Sequence, residues 1–128
     1  MWHVEEGSFD RANQHHAETI FTIGNGYLST RGSFEEGLAG ERRTTFLHGV
    51  FDAVPIAATE IVNVPDWTAL TVLLDGQEFR LDDGEVVAHR RSLDMRSGEL
   101  TRSVTWMAPS GAAAQLEFRR FASLDDPH

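Results

Sequence analysis

Cysteine and lysine are both absent from the sequence. Without cysteine, the chain has no disulfide framework, no thiolate zinc site and no thiol nucleophile. All 11 basic residues are arginines, and against 20 acidic residues they leave a formal net charge of −9. Nucleic acids and anionic membranes bind proteins through basic patches, so this acidic balance predicts that neither is a partner.

Long hydrophobic runs are absent as well. No stretch approaches the roughly 18 apolar residues of a membrane-spanning helix, and the N-terminal MWHVEEGSFD carries acidic residues in place of the apolar centre of a signal peptide. We therefore expect a soluble, cytoplasmic chain. With 41% hydrophobic residues and eight phenylalanines, the composition is that of a folded protein, and the length fits one domain spanning residues 1–128.

The second half of the chain carries the clearest strand signals. Asp75 and Gly76 stand between the apolar runs TALTVLL and QEFRL, and this pattern predicts a β-hairpin because a type I′ turn needs positive φ at both central residues. The apolar residues expected on one face of this hairpin are Leu70, Val72, Leu74, Phe79 and Leu81.

Residues 99–107, ELTRSVTWM, alternate with a period of two and predict a half-buried strand with Leu100, Val104 and Trp106 on its inner face. Turn signals at residues 96–99 and 108–111 separate three strands, the last of them in AAAQLEFRRF. Strands at this spacing are typical of an antiparallel meander in a sandwich or barrel. The fold class that we predict is all-β.

The first half is less regular. TIFTI, GYLSTRG, TTFLHGVFD and TEIVNV are rich in β-branched and aromatic residues, which favours strands. The best helical candidate is SFDRANQHHAETI, where we expect at most a short turn with Ser8 as its N-cap.

The segment GNGYLSTRG, residues 24–32, has three glycines and matches only the first half of the dinucleotide-binding fingerprint. Ser29 stands where the third glycine or alanine belongs, and TRGSF is a poor start for the helix that the fingerprint requires. We therefore interpret the glycines as the signs of a bent or bulged strand and predict no nucleotide cofactor.

Histidines and acidic pairs are the other candidates for chemistry. His15 and His16 are adjacent, so their side chains diverge and predict no metal site. We interpret His48 and His89, inside expected strands, as satisfied core or surface residues rather than catalysts. Three pairs of adjacent acids occur, at Glu35 and Glu36, Asp82 and Asp83, and Asp125 and Asp126. The two carboxyl groups of a glycosidase come from separate segments and face each other across a sugar. We therefore expect these adjacent acids to be solvated turn residues instead.

Exposed aromatic rings can stack on sugars, and the three tryptophans are the candidates for this role. Trp106 has the spacing of a core residue. Trp67 is therefore the favoured surface contact, and Trp2 is the remaining candidate.

Five ordered blocks of the sequence resemble a known family. They are ETIFTIGNGYLSTRGSFEEG, FLHGVFD, EIVNVPDW, RRSLDMRSGELTRSVTW and LEFRRFASLDD. Together they resemble the N-terminal region of family 65 glycoside hydrolases, which include the maltose, trehalose and kojibiose phosphorylases and related α-glucoside hydrolases. The resemblance runs from Glu18 to Asp126, with Ser29 where glycine is frequent and His48 where asparagine is common.

The resemblance implies a fold and a role. Its fold is an antiparallel β-sandwich of the galactose-mutarotase-like super-sandwich type, of which we expect this chain to be an incomplete part. In the family, a catalytic (α/α) barrel follows in the same parent chain and performs inverting phosphorolysis of an α-linked disaccharide with inorganic phosphate as co-substrate, or hydrolysis. No block matches a barrel motif, so the resemblance assigns no catalytic residue, and we expect the 128 residues alone to be an inactive, non-catalytic module.

Three residues are candidates for substrate binding or interdomain contact: Tyr27, Arg31 and Trp67. For Tyr27 and Arg31, a structural role in a bent strand or at the barrel contact is favoured over direct contact with sugar or phosphate. Trp67 supports an alternative function for the chain, that of an autonomous carbohydrate-binding module. A small independent enzyme is the third alternative. A sandwich cut midway would expose strand edges, which predicts a homo-oligomer.

Overall fold

The structure, a computed structural model, describes residues 2–53 and 59–126. The strands are, in chain order, β1 (His3–Glu6), β2 (Ile23–Gly24), β3 (Leu28–Thr30), β4 (Thr45–Asp52), β5 (Glu60–Asn63), β6 (Leu73–Leu74), β7 (Gln77–Glu78), β8 (Glu85–Asp94), β9 (Glu99–Met107) and β10 (Ala113–Arg120). The helical segments are a 3-10 turn (Arg11–Asn13), helix α1 (Gln14–Ile20) and a second 3-10 turn (Leu81–Asp83). No helix of the described residues is long and apolar enough to cross a membrane.

The strands form antiparallel sheets, as predicted. One sheet has the order β1-β8-β9-β10, a second has the order β2-β3-β4-β5, and β6 pairs with β7. The meander of β8, β9 and β10 is confirmed, with a bulge between Val86 and Ala88 where β8 pairs with β9. The architecture is an all-β sandwich.

The predicted inner face of β9 is confirmed, since Leu100, Val104 and Trp106 are all buried. The expected alternation also places Arg102 on this face, where its side chain is almost fully buried. The main core cluster joins Val104 and Trp106 with the buried side chains Phe34, Leu38, Phe79, Leu81 and Ala108.

The hairpin at Asp75 and Gly76 is confirmed, with φ values of 51° and 80° at the two turn residues. Phe79 and Leu81 are buried, as predicted. Leu70 is 52% exposed, so its predicted place on the packed face is wrong. The reason is that β6 begins only at Leu73, so the alternation of the hairpin does not extend back to Leu70.

The N-terminal helix is longer than expected and begins at a different cap. Asp10, not Ser8, caps the first 3-10 turn, because its Oδ1 accepts a hydrogen bond of 3.0 Å from the backbone N–H of Ala12. The turn runs directly into α1, so part of the predicted strand TIFTI is helical. Ala17 and Phe21, four residues apart, face the core together, and this helical spacing outweighs the strand propensity of the segment.

Candidate functional site

The turn between β2 and β3 contains Asn25, which organises the first half of the GNGYLSTRG segment. Asn25 Oδ1 accepts hydrogen bonds from the backbone N–H groups of Tyr27 (3.0 Å) and Leu28 (2.9 Å), and Asn25 N donates to Leu28 O (3.1 Å). Gly26 has φ of 87°, a left-handed conformation that favours glycine. The predicted bend is therefore a tight hairpin turn, in which these backbone N–H groups donate to oxygen atoms of the turn itself.

The same asparagine holds a distant part of the chain. Asn25 Nδ2 donates a hydrogen bond of 2.6 Å to the backbone oxygen of Ser123, 98 residues away. The segment after β10 is thus attached to the β2–β3 turn by one amide side chain.

The second half of the segment is attached to helix α1. Arg31 Nη2 donates to the backbone oxygen of His15 (3.0 Å) and to Glu18 Oε2 (3.3 Å), and the Glu18 carboxylate is fully buried. Gly32 N donates to Glu18 O at 2.9 Å. Arg31 therefore has an intramolecular carboxylate as its partner.

Gly32 packs closely against Phe21, the residue that follows helix α1. A Cβ atom at Gly32 would lie 2.6 Å from Phe21 Cβ and 2.9 Å from Phe21 O. No side chain fits between these atoms, so the close approach requires glycine here.

Tyr27 lies in a different place from Arg31. It lines a shallow cleft of about 240 Å³ on the β2–β5 sheet, together with Ser29, Phe46 and His48. Ser29 and His48, the two departures from the family pattern, thus line one cleft. Because β3 ends at Thr30, its regular alternation does not extend to Arg31, whose guanidinium contacts α1 instead.

Trp67 lies 48% exposed beside a second cleft, whereas Trp106 is fully buried, as predicted for both. This cleft, which we call the Trp67 cleft, has a volume of about 390 Å³ and is lined by residues 67–70, residues 117–120 and Glu35. Neither Tyr27 nor Arg31 lines this cleft. The three sequence candidates therefore belong to three separate environments.

The segment that carries Trp67 is fixed by its neighbours. Asp66 Oδ1 accepts hydrogen bonds from Thr68 N (2.9 Å) and Thr68 Oγ1 (2.7 Å), and Arg43 forms an ion pair with Asp66 Oδ2. Burial alone raises the pKa of Asp66, but the hydrogen bonds from Thr68 and the charge of Arg43 outweigh it and hold that pKa below its usual value.

Sequence reasoning missed a buried cluster of charges beside this cleft. Glu35 and Glu36 lie in a turn, as predicted, but they are only 5% and 8% exposed, so the prediction that they are solvated is wrong. Arg102 Nη1 donates to Glu35 Oε2 at 2.7 Å and to Glu36 Oε2 at 2.9 Å. Arg120 Nε lies 3.0 Å from Glu35 Oε1. The available signal was Arg102 itself, an arginine on the inner face of a predicted strand.

A second arginine, Arg91, is buried on the neighbouring strand β8. Its Nε and Nη2 donate to Glu6 Oε2 at 3.0 and 2.8 Å, and its Nη1 donates to Gly32 O at 2.7 Å. The Phe34 ring lies 5.0 Å from the Arg91 guanidinium and 4.1 Å from that of Arg102. Burial lowers the pKa of Arg91, while the charge of Glu6 opposes this shift.

His89 lies in the core and packs against the rings of Phe9 and Phe34, at centroid distances of 5.9 and 5.5 Å. Burial, followed by the charges of Arg102 and Arg91, lowers its pKa to about 3. A core position was one of the two that we predicted for it, but neither ring nitrogen has a hydrogen-bond partner among the described residues, so the prediction of a satisfied histidine is wrong. Nδ1 lies 3.8 Å from Glu6 Oε2, beyond hydrogen-bond distance.

The chemistry of these groups is that of ion pairing. The buried carboxylates of Glu18, Glu35 and Glu36 and the partly buried carboxylate of Glu6 each have an arginine partner. Within residues 2–53 and 59–126, no group of three or more histidine or acidic side chains is placed to hold a metal ion.

Comparison with known proteins agrees with this fold. The family model described as "Glycosyl hydrolase family 65, N-terminal domain" matches residues 4–128. The kojibiose phosphorylase of Halothermothrix orenii is 37% identical over 127 residues, which cover 99% of this chain and 16% of that protein. The alpha,alpha-trehalose phosphorylase of Thermoanaerobacter brockii is 32% identical over 142 residues, which cover 99% of this chain and 18% of that protein.

A solved structure, a putative kojibiose phosphorylase from the human microbiome, superposes with a TM-score of 0.86 at 23% identity. The match covers 96% of this chain and 18% of that one, and it shows the shared fold. This chain thus spans less than a fifth of the length of these similar proteins. Because the family model covers residues 4–128, the chain belongs to the N-terminal domain family of glycosyl hydrolase family 65.

Proposed function

We propose that these 128 residues act as the non-catalytic N-terminal module of a longer inverting α-glucoside phosphorylase or hydrolase. The observation that carries this proposal is the family match over residues 4–128, in a chain that spans 16% of the kojibiose phosphorylase that it resembles. The buried acids Glu18, Glu35 and Glu36 are consistent with it, because each is paired with arginine.

In the parent protein, we propose that a catalytic (α/α) barrel of the same chain binds an α-linked disaccharide. A glutamic acid of the barrel protonates the glycosidic oxygen, and inorganic phosphate attacks the anomeric carbon from the opposite face. Two relatives are named as phosphorylases of kojibiose and of trehalose, which favours phosphorolysis. A hydrolase would use water in place of phosphate, with a second carboxylate as its base.

The module itself is proposed to act as a scaffold for the barrel and to help shape the substrate entrance. Arg31 and Gly32 support the scaffold role, because they fasten the GNGYLSTRG segment to α1. The cleft beside Tyr27 is a candidate for the contact with the barrel, since it combines an aromatic ring with polar side chains on an open sheet face.

Strand pairing between copies is a further part of the proposal. Strand β10 is at the end of its sheet and pairs with β9 alone among the described residues. An unpaired strand edge is a template for another chain, so we propose a homo-oligomer. Sedimentation of a uniform monomer at micromolar concentration would rule it out.

The parent is proposed to work in the cytoplasm. The product of phosphorolysis is a sugar phosphate, and a charged product does not pass an apolar bilayer unaided. A fusion of the parent to a fluorescent protein, followed by cell fractionation, tests this location.

The activity test compares this chain with the longest reading frame of its gene. Release of glucose or glucose 1-phosphate is measured from α-linked disaccharides, with and without phosphate. Activity of the longer protein alone is expected, and its dependence on phosphate decides between phosphorolysis and hydrolysis. Turnover by the 128 residues alone would contradict the proposal.

The second candidate function is an autonomous carbohydrate-binding module. It is favoured by one observation, the half-exposed Trp67 beside a cleft that also contains buried polar side chains.

A further inference from the structure

The Trp67 cleft combines an aromatic platform with a polar floor. Trp67 is 48% exposed, whereas Arg120 and Glu35, which also line the cleft, are buried. Its volume of about 390 Å³ lies within the range of about 300–1,000 Å³ found for small-molecule sites. Ligand sites typically have this composition, an apolar wall with a few fixed polar groups.

Both sides of the cleft are held in place before any ligand binds. The backbone at Trp67 is fixed by the bonds from Thr68 to Asp66. On the floor, Arg120 Nη2 donates to the backbone oxygen of Ser33 at 2.7 Å, and Glu35 is held by Arg102 at 2.7 Å. A ligand would therefore meet a preorganised surface, which reduces the entropy lost on binding.

One donor of the floor lacks an acceptor. Arg120 Nη1 is buried and donates no hydrogen bond within the described part of the chain. Arg120 Nε is 3.0 Å from Glu35 Oε1 but without hydrogen-bond alignment. Because Nη1 is enclosed by the chain, a ligand in the cleft would meet the Glu35–Arg120 and Glu117–Arg119 pairs rather than this atom.

The charges of the cleft select the class of ligand. Arg119 is paired with Glu117 at 2.8 Å, and Arg120 with Glu35 at 3.0 Å, so the cations and carboxylates balance. A phosphate ion would meet two carboxylates in the same space, which disfavours it. A neutral molecule with hydroxyl groups fits better, since a hydroxyl can accept from an arginine and donate to a carboxylate.

We propose that the Trp67 cleft binds a neutral saccharide, with the apolar face of one sugar ring on the Trp67 indole and the sugar hydroxyl groups against the Glu117–Arg119 and Glu35–Arg120 pairs. This inference deepens the second candidate function and rests on the carbohydrate role proposed above. The site is distinct from the Tyr27 cleft, with which it shares no lining residue.

The test is a titration of the ¹⁵N-labelled 128-residue chain with maltose, kojibiose and, separately, inorganic phosphate. The three tryptophans give three indole N–H signals, which are assigned from Trp67→Phe and Trp2→Ala. We expect a saturable shift of the Trp67 signal with a disaccharide and none with phosphate. Trp67→Ala should weaken binding by at least about tenfold, equivalent to about 1.4 kcal/mol.

Trp2→Ala is the matched control, because Trp2 is 54% exposed and lies outside the cleft. It should leave the affinity unchanged. Since both side chains are exposed, neither substitution is expected to unfold the chain, and the dispersion of the amide spectrum checks this. The proposal is overturned if no disaccharide shifts the Trp67 signal, if binding survives Trp67→Ala, or if phosphate alone produces the shift. Disaccharide cleavage by the longer protein is measured in a separate assay. A failure of saccharide binding in this titration would therefore leave the proposed function of the longer protein untouched.

Discussion

Glu36 and Arg102 form a bidentate pair in the core, with Glu36 Oε1 2.5 Å from Arg102 Nη2 and Glu36 Oε2 2.9 Å from Arg102 Nη1. Arg102 also contacts Glu35, so one guanidinium neutralises two buried carboxylates. Buried charges are tolerated only when they are paired and hydrogen-bonded. The loop that contains Glu35 and Glu36 is thereby fastened to the centre of the β8–β9–β10 meander.

Arg102→Met should therefore destabilise the chain strongly. The substitution keeps much of the side-chain volume but leaves Glu36 without its partner, and removing one member of a buried pair lowers the free energy of unfolding by about 3–5 kcal/mol. Urea unfolding followed by tryptophan fluorescence measures the change. Arg90→Met is the control on the neighbouring strand, because the Arg90–Glu5 pair is exposed and contributes little. Equal midpoints for the two variants would show that the buried pair is not required.

The stability should fall as the pH is lowered from 7 to 5, in part because of His89. Its pKa of about 3 in the folded chain lies below the ordinary 6.5, so the unfolded chain binds a proton that the folded chain does not bind. Stability contributed by a neutral His89 is present above pH 6.5 and is lost as the pH falls toward 3. Linkage gives about 1–2 kcal/mol between pH 7 and pH 5.

His89→Phe isolates this contribution from those of the other titrating groups. Phenylalanine suits a site beside Phe9 and Phe34 and does not titrate. The variant should lose less stability than the original chain between pH 7 and pH 5 in urea unfolding. Parallel pH profiles would mean that the pKa of His89 is the same in the folded and unfolded chains.

The meander was predictable because its signal is local, whereas the charge cluster was not. Alternation along residues 99–107 identifies the inner face of β9 from neighbouring residues alone. Glu35 and Glu36 look like surface acids in sequence, because Arg102, their partner, lies 67 and 66 residues further along the chain. Only the pairing of distant segments shows that these acids are buried.

The helix shows a second limit of sequence patterns. Residues 19–23 have strand propensity, but Phe21 packs in the core with Ala17 one helical turn earlier. A propensity scale measures local preference, and tertiary packing of one face outweighs it. Tyr27, Arg31 and Trp67 were chosen from the sequence one by one, whereas their separation into different environments depends on the fold.

Gly32→Ala should destabilise the attachment of the GNGYLSTRG segment to α1. The added methyl group would lie 2.6 Å from Phe21 Cβ, so the backbone must shift, at a cost of about 1–3 kcal/mol. Gly7→Ala is the control, since a Cβ atom there meets nothing within 4 Å. Thermal unfolding of the two variants should differ clearly, and similar melting temperatures would show that the close approach relaxes without penalty.

Asn25→Asp should release the segment after β10. The carboxylate keeps the acceptor for Tyr27 N and Leu28 N but has no amide hydrogen for Ser123 O. We expect faster amide exchange and proteolysis at residues 121–126, with little change in β3. Asn13→Asp is the control, because Asn13 makes no side-chain capping bond. Unchanged protection at residues 121–126 would mean that the hydrogen bond to Ser123 does not hold this segment.

Tyr27 and Arg31 can be assigned to structure or to ligand binding by substitution in the longer protein. Arg31→Met leaves the fully buried Glu18 carboxylate without its arginine, which should lower the free energy of unfolding by about 1–3 kcal/mol. Because Arg31 contacts α1 rather than an open cleft, the KM values for disaccharide and phosphate should stay unchanged. Tyr27→Ala should likewise lower the melting temperature without altering KM, if the Tyr27 cleft is a contact within the protein. A raised KM for phosphate in a stable Arg31→Met protein would instead assign Arg31 to the substrate, and a raised KM for disaccharide after Tyr27→Ala would do the same for Tyr27.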